Sequence, residues 1–183
     1  MKITILNGDV SQDESAFSNY IDRLAEALQQ ENTVNMFRLN KMNLHYCTGC
    51  WSCWWKTPGK CPTNDDAEQI YRSVVSSDLV IFASPLVAGF TSAVLKKITD
   101  RFVALIHPYI KLFDGECHHQ NRYDKNPDIA LVLEKEADTD NEDLEIVNDI
   151  YKRFALNLHS NLRFTKIVDH DKIEDIVHAT HSI

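Results

Sequence analysis

Short apolar runs alternate along this chain with stretches whose apolar residues recur every three or four positions. Ile3, Ile5 and Leu6 make Lys2 to Asn7 a buried first strand, which Gly8 ends. Ser15 to Gln30 carries Ala16, Phe17, Tyr20, Ile21, Leu24, Ala25 and Leu28, close to the 3.6-residue period of a helix. Val34 to Leu39 reads as a short strand, and Lys41 to Tyr46 as the lead into a loop. Asn64, Asp65 and Asp66 can cap a helix over Ala67 to Ser76. Asp78 to Ser84 is the strongest strand: Leu79-Val80-Ile81-Phe82-Ala83 is unbroken, as a parallel strand covered on both faces requires. Ser92 to Ile106 is predicted helical. Ile110 to Asn126 is polar and reads as a long excursion. Asp128 to Leu133 is a strand, and Asp140 to Asn157 a helix with early acids that suit the helix dipole. Leu162 to Val168 gives the last strand and Asp171 to Thr180 a short final helix.

This alternation predicts a three-layer, doubly wound α/β fold with right-handed crossovers. Five strands suit a flavodoxin-like parallel sheet in the order 2-1-3-4-5, with ligands beyond the carboxyl ends of the strands. We expect one domain over residues 1–183, without an interdomain linker. Hydrophobic residues make up 44% of the chain and charged ones 25%, so a packed core is expected and disorder is not. The net charge of −8 argues against nucleic acid or an anionic membrane as partner. The longest apolar run, Leu79 to Phe90, is too short to span a bilayer. The first residues lack a long apolar segment with a cleavage site, so a cytoplasmic protein is expected.

Chemistry concentrates in Cys47 to Cys61, which holds four of the five cysteines and all three tryptophans, Trp51, Trp54 and Trp55. Gly49, Pro58 and Gly59 mark it as turns. Such a stretch is a cofactor wall, a cluster site or a buried interface. Reduced cytosolic thiols point to metal binding or redox chemistry before disulfides, with inert buried thiols as the alternative. The spacing C-x2-C-x2-C-x7-C can hold a [4Fe–4S] cluster on Cys47, Cys50, Cys53 and Cys61. Zinc on four thiolates more often uses two separated pairs.

The turn after the first strand is a natural phosphate seat, with amide hydrogens and a helix dipole facing it. Gly8 permits a tight turn, and Ser11, Ser15 and Ser18 offer hydroxyls. Asp9, Asp13 and Glu14 would repel a dianion, or they cap the first helix. The turn is neither Gly-x-Gly-x-x-Gly nor a Walker loop. Ser84 to Phe90 lies where such a sheet binds its ligand; Pro85 stiffens it and Gly89 lets the backbone approach a flat ring. Lys96, Lys97, Asp100 and Arg101 read as helix-surface pairs. His107 with Cys117, His118 and His119 reads as a solvated polar cluster, and no metal is assigned there. Glu134 to Asp140 stands at the ligand edge and either shapes the site or starts the next helix. No side chain is assigned a catalytic role, since no Ser-His-Asp or Gly-x-Ser-x-Gly arrangement occurs.

Cys47-x-Gly49-Cys50-x-x-Cys53, Pro58-Gly59-x-Cys61, Asp65-Asp66, Ser84-Pro85-Leu86, Gly89, Ser92-x-x-Leu95-Lys96 and Asp100-Arg101 together resemble the flavodoxin-like NAD(P)H-dependent FMN reductases and their iron–sulfur flavoprotein relatives. The resemblance runs from Cys47 to Arg101. It implies an FMN phosphate on the first loop, at Gly8, Ser11, Ser15 and Ser18. It implies an isoalloxazine ring held by Ser84, Pro85, Leu86, Val87, Ala88, Gly89 and Phe90, and a cysteine loop near the flavin, often at a subunit interface. It further implies NAD(P)H as co-substrate and a small-molecule electron acceptor. The family's usual basic and hydroxyl residues are absent from the first loop, where acids replace them. Three functions follow as expectations: an FMN-dependent oxidoreductase, an iron–sulfur flavoprotein electron carrier, and a cofactor-less binding or assembly module. The tryptophan loop would expose a large apolar patch on a monomer, so a homodimer is expected.

Overall fold

The computed structural model describes residues 1–181 other than 14, 114 and 169. The chain runs β1 (Lys2–Asn7), α1 (Ala16–Gln29), β2 (Thr33–Arg38), α2 (Ser52–Trp55), α3 (Ala67–Ser76), β3 (Leu79–Val87), β4 (Phe90–Thr91), α4 (Ala93–Thr99), β5 (Ile106–Phe113), β6 (Glu116–Asn121), β7 (Asp128–Glu134), α5 (Asn141–Asn157), β8 (Leu162–Ile167) and α6 (Ile173–Thr180). The main sheet has the parallel order β2-β1-β3-β7-β8, which is the expected 2-1-3-4-5 of a flavodoxin-like fold.

Strand β3 explains why the sheet has helices on both faces. Successive side chains of a strand point to opposite faces. Leu79, Ile81 and Ala83 pack with Ile3, Ile5 and the α1 residues Phe17, Ile21 and Leu24, together with Ile176 of α6. Val80 and Phe82 pack with Ile70 and Val74 of α3, Leu95 and Ile98 of α4, and Val147 and Tyr151 of α5. A fully buried side chain of this size contributes roughly 1.5–3 kcal/mol.

Three expectations change. β3 does not stop at Ser84; it runs on to Val87, turns at Ala88 and Gly89, and returns as β4. Ala88 and Gly89 have φ of 52° and 74°, as a two-residue turn between right-twisted strands requires. The helix expected over Ser92 to Ile106 ends at Thr99, and Asp100–Leu105 tightens into a 3-10 turn. There Arg101, Phe102, Ala104 and Leu105 are all buried, more sides than one α-helical stripe can cover. The polar excursion contains an antiparallel hairpin, β5–β6, outside the main sheet. Among the described residues no helix is long and apolar enough to cross a membrane.

Candidate functional site

The loops that leave β1, β3 and β7 at their carboxyl ends enclose a cleft of about 350 Å³. Its walls include Asp9, Ser11 and Ser15 from the first loop, Pro85 to Val87 from β3, and Glu134 to Glu136 at the end of β7.

The first loop is built from two consecutive side-chain-to-backbone turns. Asn7 Oδ1 accepts from the Asp9 amide at 3.0 Å, and Asp9 Oδ1 accepts from the Ser11 amide at 3.0 Å. Asn-x-Asp-x-Ser is the sequence signal for such turns, one that the count of acids and hydroxyls alone does not show. The Asp9 carboxylate is buried, and its Oδ2 accepts from Ser15 Oγ at 2.5 Å and Ser18 Oγ at 2.7 Å. Ser15 caps α1 by accepting from the Ser18 amide at 2.9 Å. Burial pushes the Asp9 carboxyl up, but the Ser15 hydroxyl, the Ser11 amide and the Ser18 hydroxyl outweigh it and hold it below the usual carboxylate value. The residues expected to face a phosphate are therefore brought together, around a carboxylate of their own chain. Asp13 is exposed, and Glu14 lies outside the described residues.

Gly8 serves packing. Its φ is not in the left-handed region, but a Cβ there would come within 2.8 Å of Leu95 Cβ and 3.2 Å of the Ala83 carbonyl. Its amide donates to Ala83 O at 2.8 Å, and its carbonyl accepts from Ser92 Oγ at 2.5 Å. Ser92 also caps α4 and donates its amide to Ser84 Oγ at 2.9 Å. Ser84 Oγ in turn donates to Pro85 O at 2.7 Å. Gly8, Ser84 and Ser92 thus lock the first loop to the base of the β3–β4 hairpin. Val87 and Ala88 are exposed, Leu86 is buried, and Gly89 and Phe90 are half-buried. A Cβ on Gly89 would approach Asp143 Oδ1 to 2.9 Å, so the hairpin tip abuts the start of α5.

A second cavity of about 340 Å³ lies under the cysteine loop and shares no lining residue with the first. Cys47, Cys50, Cys53 and Cys61 all line it, beside Trp51 and Arg101. Cys47 and Cys50 are exposed, Cys53 is buried and Cys61 is half-buried. Hydrogen bonds from the Ser52 amide and hydroxyl lower the Cys50 thiol. Burial raises the Cys53 thiol, and the neighbouring Cys61, Cys47 and Cys50 sulfurs add to the rise. Among the described residues, no three His, Cys, Asp or Glu side chains close on a single ion.

Residues on either side of the cysteines are pinned by a buried ion pair. Arg101 pairs with both Asp65 oxygens, at 2.5 and 3.0 Å, and the two side chains are 2% and 0% exposed. Arg101 also donates to His45 O at 3.1 Å, and Asp65 accepts from the His45 amide at 2.9 Å. This corrects the reading of Arg101 as a surface residue; Lys96 and Asp100 do form the expected surface pair. Arg101 Nε is buried without a hydrogen-bond partner. Trp54 donates its indole N–H to Val103 O at 2.8 Å, whereas Trp51 and Trp55 are exposed. No tryptophan lines the first cleft. His118 is buried in the β5–β6 hairpin between Asn157 and Glu116, while Cys117 stays exposed.

Residues 1–123 match the family described as NADPH-dependent FMN reductase. An iron-sulfur flavoprotein of Clostridioides difficile is 35% identical over 104 residues, 55% of this chain and 45% of that one. An iron-sulfur flavoprotein of Archaeoglobus fulgidus is 34% identical over 95 residues, 50% of this chain and 42% of that one. The chain thus spans less than half the length of these curated relatives. The NAD(P)H:quinone oxidoreductase from Methanothermobacter marburgensis superposes with a TM-score of 0.61 over 98% of this chain and 95% of that one. At 16% identity, that likeness is one of fold.

Proposed function

The chain belongs to the NADPH-dependent FMN reductase family, and from that premise we propose that it is a flavin-dependent oxidoreductase. The observation that carries this reading is the cleft where the ends of β1, β3 and β7 meet, the ligand edge of a doubly wound sheet. Its β3 wall fits a flat ring: Pro85 is stiff, Leu86 is buried behind it, and Val87 exposes an apolar side chain. Residues of the first turn do not fit a phosphate, because Asp9 already stands among their hydrogen-bond donors. A bound flavin would supply the two-electron chemistry, taking hydride from NAD(P)H for a small acceptor. This chain's own residues hold the ring and shield one face of it. Mixing the purified protein with riboflavin or FMN should quench flavin fluorescence and permit NAD(P)H oxidation. Absence of quenching by either at high micromolar flavin would leave the binding-module reading in its place.

The cysteine cavity favours a second cofactor. We propose a [4Fe–4S] cluster on Cys47, Cys50, Cys53 and Cys61, supported by all four lining one cavity and by the names of the two curated relatives. Anaerobic purification should then give a brown protein with about four irons per chain; a colourless, iron-free preparation removes this cofactor. We also propose a homodimer through Tyr46, Trp51 and Trp55, which are 63%, 50% and 70% exposed. Light scattering at the single-chain mass would contradict it.

A further inference from the structure

We propose that the cleft discriminates against the 5′-phosphate and takes a flavin with a neutral ribityl end, riboflavin itself, in preference to FMN, with Asp9 as the residue that sets this choice. The inference rests on the flavin reading of the same cleft.

A phosphate seat at a helix N-terminus works because it offers free donors and no competing anion. Here the Ser11 amide and the Ser15 and Ser18 hydroxyls all donate to Asp9, at 3.0, 2.5 and 2.7 Å. The carboxylate is 3% exposed, and these partners are neutral, so its negative charge stays uncompensated by any of them. It remains ionised at neutral pH. A phosphate entering the turn would have to displace an ionised carboxylate from three hydrogen bonds or lie beside it.

The loop also resists being remodelled to make room. Gly8 is held on both sides, by Ala83 and Ser92, and the Asp9 amide is held by Asn7. Across the loop, the Asn40 side chain bonds Ser11 O and the Lys41 ammonium bonds Gln12 O. Lys41 therefore points its charge at a backbone carbonyl. At the end of β7 the cleft adds Glu134, Lys135 and Glu136, one acid on either side of one base. A dianion placed beside the Asp9 carboxylate meets a penalty that a neutral hydroxyl end does not.

The test is a pair of equilibrium titrations of the full chain with riboflavin and FMN, followed by fluorescence, on wild type and Asp9→Asn. Wild type should bind riboflavin on the order of tenfold or more tighter than FMN at low salt. Asp9→Asn keeps the shape, removes the charge and should narrow that ratio. If the variant does not fold, wild type titrated at about pH 5 and about pH 7 stands in: taking the FMN phosphate from dianion to monoanion should tighten FMN and leave riboflavin unchanged. Tighter binding of FMN by wild type at neutral pH, or a ratio that neither the substitution nor the charge of the phosphate alters, overturns the proposal and leaves the flavin reading intact. Binding of neither flavin removes both.

Discussion

The two cavities of this molecule are furnished in opposite ways. Around the first, Ser11, Ser15 and Ser18 donate to Asp9, and Gly8 donates its amide to Ala83 and accepts from the Ser92 hydroxyl. Around the second, four thiols line one hollow beside Arg101, whose guanidinium is held by Asp65 and interacts with Cys61. A loop that satisfies itself makes structure; a loop held from outside and lined with thiols within is ready for a ligand.

The sharpest way to break that contrast is to cut the frame of the open site. Asp65→Ala leaves the Arg101 charge buried without its partner and should cost about 3–5 kcal/mol in denaturant unfolding. A loss under about 1 kcal/mol would mean the frame is not held by this pair. The same pair sets an acid limit. Burial would raise the Asp65 carboxyl, but Arg101 and the His45 and Ala67 amides outweigh it and hold it far below the ordinary carboxylate value. A depressed folded-state value stabilises the fold above the unfolded pKa of about 3.9, and that stability is lost as pH falls below it. Wild type should therefore destabilise steeply with acid below about pH 4, and Asp65→Ala should show a shallower slope there.

On the closed side, Gly8→Ala should cost about 1–3 kcal/mol, because the new methyl meets Leu95 Cβ and backbone at Ala83. Ser15→Ala removes the α1 cap and one Asp9 donor and should cost about 1 kcal/mol. The smallest stability effect belongs to the open side. Cys50→Ser at an exposed position should stay within about 0.5 kcal/mol in thermal melts, yet lower the iron bound after anaerobic reconstitution. If Cys50→Ser instead destabilises as much as Gly8→Ala, the distinction between a structural and a ligand-facing loop fails.

Much of the fold was legible in the sequence. The apolar runs of β1, β3 and β7 are long because both faces of the sheet are covered, and that coverage also dictates the order of elements. What escaped was local. Ala88 is an unusual residue for a positive φ, so the β3–β4 turn carried only half its signal. The β5–β6 hairpin hides because Ile110 and Leu112 face solvent while the polar His118 is buried, the reverse of the usual pattern. At the site, the acids of the first loop could be read as repelling a phosphate. That Asp9 folds inward and accepts from these hydroxyls depends on Asn7, Ser15 and Ser18 acting together, which no single residue announces. Arg101 read as surface because its partner lies 36 positions away.

The clasp between Asn43–His45 and Asp65–Asp66 has a meaning in polymer terms. Asn43 and Asp66 exchange two bonds, of 2.7 and 3.0 Å, next to the Asp65–His45 contact. The intervening chain is thereby a closed ring before any guest arrives. Loop-closure entropy grows only slowly with length, but it must be met once, and the clasp meets it during folding. Binding within the ring would then begin from a chain whose ends are already joined, and what it would still have to order is the approach of the four sulfurs to one another.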